Sequence, residues 1–444
     1  MDSLPTLSRR LAAGKTSSVA LTRAALDRIL DPAGEGARAF TMIDPERSIA
    51  LAELADKARA EGRTVSPLTG IPVSIKALFD IEGKVTTAGS KVLANAPPAR
   101  TDAMAVQRLR AAGMPVMGHT NMTEFAYSGL GMNPHFGTPG NPADRDRIPG
   151  GSSSGAAVSV ADGMAAAGLG TDTGGSCRIP AAFCGLVGFK PTAQRVPQAG
   201  SYPLSPTLDS IGSIARSVAC CAMIDAALTA TTITIPDPPP LSGQRFGVLE
   251  NYVIDDITPE VATAYEAALA RLQAAGVRLI PIRLPDLDRL PDLNARGGIV
   301  AAEALAQHHE LLANREAEFD PRVSVRILKG RTLKPGEYEA LLAERQAIIR
   351  RADDSTTGLA AILMPTVPMV APRIADLDRD EALYGATNLL ALRNPTVANF
   401  LDRCAISLPL AVNGLPVGLT LMGETMGDRA LLALAASVER ALAA

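Results

Sequence analysis

The stretch from Pro149 to Thr192, PGGSSSGAAVSVADGMAAAGLGTDTGGSCRIPAAFCGLVGFKPT, constrains this chain more than any other part of it. It carries two glycine–serine clusters. Gly150, Gly151, Ser152, Ser153, Ser154 and Gly155 form the first, and Thr171, Asp172, Thr173, Gly174, Gly175 and Ser176 the second. The small residues between them predict a buried helix. Glycine allows backbone angles and close approaches closed to other residues, so serines set among glycines can present hydroxyls beside bare backbone N–H groups. Such a pattern serves either a catalytic centre or a set of tight turns.

Around this stretch, helical and strand patterns alternate, which favours one layered α/β domain over separate modules. Thr16-Ser17-Ser18 caps an amphipathic helix that stops before Asp31-Pro32, Phe40 to Ile43 reads as a strand, and Pro45 opens a helix through about Ala60. In GIPVSIKALF, Ile71, Val73 and Ile75 alternate with Pro72, Ser74 and Lys76, which is strand periodicity. A helix over Asp102–Ala112 leads into a short strand at Pro115–Gly118, and Thr120–Asp146, rich in Gly, Asn and Pro, reads as loop. Further on, the pattern predicts a helix over Ala215–Thr229, an extended connector over Ile233–Ser242 and a strand at Phe246–Glu250. A helix over Pro259–Ala275 and a strand at Val277–Ile282 come next. Leu290–Thr357 reads as mostly helical with a break at Arg331–Pro335, and Ala361–Met364 as a strand. Ala405–Val412 and Leu415–Met422 bracket an Asn413-Gly414 hairpin signal, with Pro416 limiting pairing beside the turn, and a helix closes the chain over Asp428–Leu442.

Composition narrows the function. Of 444 residues, 47% are hydrophobic and 20% charged, enough for a large core and too little charge for disorder. The net charge of −3 without a dense basic run argues against nucleic acid as a partner. The most apolar stretch, Cys404–Gly423, is broken by Pro409, Asn413, Gly414 and Pro416, so no membrane span is expected. The five cysteines show no pairing pattern and the N-terminus no signal peptide, so reduced thiols and a cytoplasmic location are expected, with Cys177 the one cysteine beside candidate chemistry.

The histidines, His119, His135, His308 and His309, lack metal-ligand spacing, so no metal and no cofactor are expected. His308 and His309 read as solvated positions on a charged helix. Gly151-Ser152-Ser153-Ser154-Gly155 matches a nucleophile elbow with Ser153 at its centre, but that arrangement needs a later histidine in a loop, and these two do not supply one. Lys76 stands out, because a charged lysine is rarely tolerated inside an apolar strand. Either it pairs with Asp80 or reaches solvent from the strand end, or it is desolvated enough to be neutral and take a proton from a serine.

Six segments, GIPVSIKALFDIEG, GHTNMTEFAYSGLG, PGGSSSGAA, GTDTGGSCRIPAAFCGLVGFKPT, TLDSIGSIARSVA and NGLPVGLTLMG, occur in order along the chain and together resemble the amidase signature family. The resemblance spans essentially the whole chain, most loosely over 233–358. It implies an α/β/α sandwich with a large mixed, twisted central sheet, a single domain over 1–444, a catalytic core at about 61–220 and a variable substrate side at about 233–358. It also implies a Ser–cisSer–Lys triad, in which Ser176 is the nucleophile, Ser152 the bridging serine beside an unusual cis peptide, and Lys76 the base. The resemblance places the oxyanion hole on the backbone N–H groups of Thr173, Gly174, Gly175 and Ser176. Ser153 and Ser154 are then expected to support the triad, and Asp172, Arg178 and Asp209 to brace the loops. His119, Thr123 and Ser213 depart from the family's frequent Lys, Asp and Pro.

The implied reaction is hydrolysis of a carboxamide C–N bond through an acyl-enzyme on Ser176. The family segment beside the acyl pocket corresponds to Phe125, Tyr127, Gly129, Leu130, Gly131 and Met132, with Met364–Pro368 and Asn294–Leu328 nearby. With no cationic anchor located, an uncharged aryl or alkyl amide or anilide is the first expectation, and a carbamate (urethane) or ester presents the same carbonyl. The A subunit of an aminoacyl-tRNA amidotransferase, or an allophanate or carboxybiuret hydrolase, is the alternative. The small-molecule substrate is expected to be the partner of a monomer or homodimer.

Overall fold

The two serine clusters are joined by a helix and a strand, not by one long helix. In the computed structural model, which describes residues 1–410 and 414–443, the helix Ser154–Ala161 stops at Asp162-Gly163 and the chain returns as a strand over Ala167–Asp172. Glycine decides that outcome. A β-carbon at Gly168 would stand 3.0 Å from Ala156 Cβ, and one at Gly170 would stand 2.8 Å from Ser153 Oγ. The bare strand lets the helix lie down on it and brings the first cluster against the second.

The strands are β1 Phe40–Ile43, β2 Val73–Lys76, β3 Val116–Thr120, β4 Ala167–Asp172, β5 Val187–Lys190 and β6 Ser210–Ala215. They continue with β7 Arg245–Leu249, β8 Arg278–Ile282, β9 Ala361–Pro365, β10 Ala405–Leu410 and β11 Val417–Met422. All belong to one 11-stranded sheet in the order β1-β3-β2-β4-β6-β5-β10-β11-β9-β7-β8. Pairs β3/β2, β2/β4, β9/β7 and β7/β8 are parallel and the others antiparallel, so the sheet is mixed. Helices cover it to give an α/β/α sandwich.

Several sequence expectations meet small corrections. Ala215 ends β6, and the helix expected there runs Val218–Leu228, capped by Ser217, whose Oγ accepts from Cys220 N–H. Pro416 stays outside the ladder, which begins at Leu410 opposite Val417, while residues 411–413, including Asn413 of the hairpin signal, lie outside the described residues. Five α-helices among the described residues carry no sequence expectation, Leu4–Ala12, Gly36–Ala39, Arg178–Phe183, Ile374–Arg379 and the long Glu381–Phe400 with Pro395 inside it.

What the sheet does for the site is simple. β2 and β4 are parallel neighbours, with Ile75 opposite Leu169, so their C-terminal ends deliver Lys76 and Thr171 to the same place. The carboxyl ends of parallel strands are where α/β folds bind ligands.

Candidate active site

Lys76, the last residue of β2, is fully buried. Its Nζ lies 2.7 Å from Ser152 Oγ and 2.9 Å from Thr171 Oγ1. Asp80 is not its partner and accepts from Thr86 Oγ1 instead. Burial lowers the Lys76 pKa to about 8, against the opposing pull of nearby acidic groups including Asp209 and Asp172. A neutral amine at Nζ has a lone pair for the Ser152 hydroxyl proton while it donates to Thr171.

The peptide bond between Gly151 and Ser152 is cis. Ser152 and its neighbours are held by backbone, since Gly151 N–H donates to Gly129 C=O at 2.8 Å and the Ser152 carbonyl accepts from Thr123 N–H at 3.1 Å. Ser153 ties the clusters together, its N–H meeting Ser176 C=O at 3.3 Å and its Oγ meeting Thr171 C=O at 3.4 Å. Ser154 opens the helix behind, with its Oγ 3.4 Å from Asn121 C=O.

Ser176 follows Gly175, whose φ of +122° and closeness to Pro395 exclude a side chain, since a β-carbon there would stand 2.6 Å from Pro395 Cβ. The loop is wrapped around the buried Asp172 carboxylate. Oδ1 accepts from Gly175 N–H at 2.8 Å, Oδ2 from Cys177 N–H at 3.1 Å, and Arg178 closes a bidentate pair at 2.9 and 3.0 Å. Asn399 Nδ2 adds bonds to the Asp172 carbonyl and Oδ1. Burial alone would raise the Asp172 pKa, but Arg178, Lys190 and Asn399 outweigh it and hold the carboxyl well below the usual range. Gly175 N–H, one of the four expected oxyanion donors, is thereby engaged inside the loop. Thr173 Oγ1 donates to Asp209 Oδ1 at 2.5 Å, and burial raises Asp209 to about 6. Cys177 is buried and its thiol is pushed up by burial and by Asp172, so it stays protonated.

The segment expected to line the acyl pocket divides in two. Phe125 packs among Tyr202, His308 and Phe319, with ring centroids at 5.6, 4.2 and 5.2 Å. His308 is therefore fully buried and uncharged, lowered to about 4 by burial, and only His309 has the solvated position expected of both. The signal lay in the helix period, since Ala301, Ala304, His308 and Leu312 form one buried stripe. Leu130 and Met132 pack with Ile148, Ile179 and Phe183, while Gly131 sits against the Gly150 carbonyl. Met364 and Val367 are likewise core, and Thr366 bonds Ser407 and Thr420 across the sheet.

Tyr127 and Gly129 have partners that the sequence left unnoticed. The Arg326 guanidinium lies 4.4 Å from the Tyr127 ring centroid, and its Nη1 donates to the Tyr127 carbonyl at 2.7 Å. Among the described residues no carboxylate pairs with it. Gly129 N–H donates to Asn388 Oδ1 at 2.9 Å, from the helix Glu381–Phe400.

Residues 20–432 match the protein-family model described as Amidase. The 2-amino-5-chloromuconic acid deaminase of Comamonas testosteroni is 36% identical over 411 residues, 90% of this chain and 88% of that protein. The A subunit of the glutamyl-tRNA(Gln) amidotransferase from Cupriavidus metallidurans is 34% identical over 489 residues, 99% of this chain and 97% of that protein. A crystal structure of an amidase superposes with a TM-score of 0.89 at 32% identity, covering 99% of this chain and all of that one.

Proposed function

This chain belongs to the amidase signature family, and from that premise we propose that it is a serine amidohydrolase working through an acyl-enzyme on Ser176. The observation that carries this reading is the fully buried Lys76 Nζ, depressed to about 8 and 2.7 Å from Ser152 Oγ. Neutral Lys76 takes the Ser152 proton as Ser152 takes that of Ser176, whose Oγ attacks the amide carbon. The carbonyl oxygen becomes an oxyanion facing the N–H groups of Thr173, Gly174 and Ser176, each such donor being worth about 3–4 kcal/mol of barrier. The C–N bond then breaks as Ser152 returns a proton to the leaving nitrogen. Water, deprotonated through the same relay, attacks the ester and frees the acid.

The substrate reading departs from the uncharged amide expected at first. The Arg326 guanidinium, held on Tyr127 and without a carboxylate partner among the described residues, serves as a cationic anchor for a carboxylate on the substrate. The Comamonas relative is named for an acid, which supports the same direction. We therefore read the substrate as a small amide bearing a carboxylate, with carbamates and esters as lesser substrates because they offer the same carbonyl. We read the protein as acting without partner subunits, as a monomer or homodimer, and as cytoplasmic. The test is a panel of primary amides, anilides and carbamates, each with and without a terminal carboxylate, assayed on the purified chain with Ser176→Ala as control. Product release that Ser176→Ala abolishes supports the reading. Activity that survives in Ser176→Ala, or that appears only when amidotransferase partner subunits are added, overturns it.

A further inference from the structure

One face of the helix Glu381–Phe400 runs past both walls of the site. Tyr384, Asn388, Leu392 and Thr396 are spaced four apart and so line one side of the helix. Tyr384 OH donates to Ser128 Oγ at 2.9 Å, and Asn388 Oδ1 accepts from Ser128 Oγ and from Gly129 N–H, each at 2.9 Å. At the other end Thr396 Oγ1 reaches the Gly174 carbonyl at 3.5 Å, and Asn399, one turn on, holds Asp172. Pro395 presses on Gly175. The helix thus fixes the gap between the segment that supports Ser152 and the loop that carries Ser176.

Leu392 stands in that gap. A β-carbon at Gly129 would lie 3.2 Å from Leu392 Cδ2, and one at Gly174 would lie 3.6 Å from the same atom. Its isobutyl group spans the two glycines, one in the segment that supports Ser152 and one in the loop that carries Ser176. Among closely buried neighbours, Gly174, Leu392 and Thr396 are half-buried, so this strip is where solvent reaches the catalytic loop. Neither Gly129 nor Gly174 has a side chain to meet an acyl group; Ile179 Cδ1 stands 3.0 Å from the β-carbon position of Gly129 and Thr396 Oγ1 3.2 Å from that of Gly174, and Leu392 is the neighbour that both glycines share.

We propose that Leu392 is the residue that sets which acyl groups this centre admits, its isobutyl group filling the space between Gly129 and Gly174 that a branched or aromatic acyl group would otherwise occupy. The proposal rests on the reading of Ser176 as nucleophile, and it concerns the size of the acyl group, separately from any carboxylate it carries. The test measures kcat/KM for acetamide, isobutyramide and benzamide cores in wild type, Leu392→Ala and Leu392→Phe. Leu389→Ala, one turn away and 66% exposed, is the control. A change of one to a few methylenes in such a pocket corresponds to about 10–200-fold in selectivity. We expect the benzamide-to-acetamide ratio to rise about tenfold or more in Leu392→Ala and to fall by a similar factor in Leu392→Phe, with Leu389→Ala unchanged. A ratio that moves less than twofold in both Leu392 variants overturns the proposal.

The same variants are then labelled with fluorophosphonates carrying a small or a bulky substituent, and the ratio of labelling rates at Ser176 is read. This second readout also serves if Leu392→Ala fails to fold, because the bulkier Leu392→Phe and the near-isosteric Leu392→Met still report the ratio. If wild type hydrolyses no amide but the labelling ratio follows residue 392, the hydrolase reading fails and the role of Leu392 stands. If amides are hydrolysed and the labelling ratio ignores residue 392, Leu392 alone loses its role.

Discussion

The pH dependence of the reaction follows from the burial of Lys76. The working form is the neutral amine, because only it can accept the Ser152 proton, and burial brings its pKa down to about 8. Below that value the amine is charged and the rate falls; above it the amine is neutral and the rate levels off. Between pH 7 and 9.5 Asp209, raised to about 6, is ionised throughout, and His119 and His308, both lowered to about 4, stay neutral, whereas Lys190, buried beside the Asp172 loop and also lowered to about 8, titrates in the same window, so the variant arm below is what assigns the inflection to Lys76. A group with a pKa near 8 is about one-eleventh neutral at pH 7 and almost wholly neutral at pH 9.5, so kcat/KM should climb about tenfold across the window, with a slope of one on its acid side. The assay is product release from a substrate whose own charge is constant over that range, with Lys76→Met as the second arm. Methionine keeps the length of the side chain and removes the buried amine, so the fold should hold while activity falls by about 10²–10⁴ and the residual rate loses the inflection near 8. A flat wild-type profile from pH 7 to 9.5, or a Lys76→Met enzyme with the same inflection, would refute the assignment of Lys76 as base.

Other expectations are as direct. Asp172→Asn leaves the buried Arg178 guanidinium without its counter-charge, so stability should drop by about 3–5 kcal/mol in denaturant melts, and activity should fall with it because the loop holding Ser176 loses its centre. Gly170→Ala places a methyl group 2.8 Å from Ser153 Oγ, which should separate the serine clusters and lower kcat more than it raises KM. Arg326→Gln should raise KM for carboxylate-bearing amides by about 10–100-fold, as loss of a charge-assisted hydrogen bond implies, and leave neutral amides unaffected. Equal effects on both classes would remove Arg326 as the anchor.

Sequence reached the reactive end of the site further than its walls. Lys76 was legible because a charged residue in an apolar strand violates an ordinary burial preference, and the serine clusters because glycines accumulate where backbones approach closely. The strand β4 was not, since AGLGTD has Thr171 as its single β-branched residue and owes its place to packing under the helix Ser154–Ala161. Arg326 sits on a short amphipathic helix where an arginine looks solvated, and only the fold lays it over Tyr127. The helix Glu381–Phe400 hid behind Pro395, which reads as a helix breaker, although the spacing of Tyr384, Asn388, Leu392 and Thr396 was there to count. Long-range placement decides these cases, and local propensity does not contain it.

The central claim is that Ser176 carries the acyl group. Rapid quenching of the enzyme during turnover of a slow ester or anilide, followed by intact-mass measurement and peptide mapping, tests it in one step. An adduct of the acyl mass is expected on the peptide containing Ser176, absent in Ser176→Ala and accumulating more slowly in Ser152→Ala. An adduct mapped to Ser152, Ser153 or Cys177, or one that persists in Ser176→Ala, would contradict it.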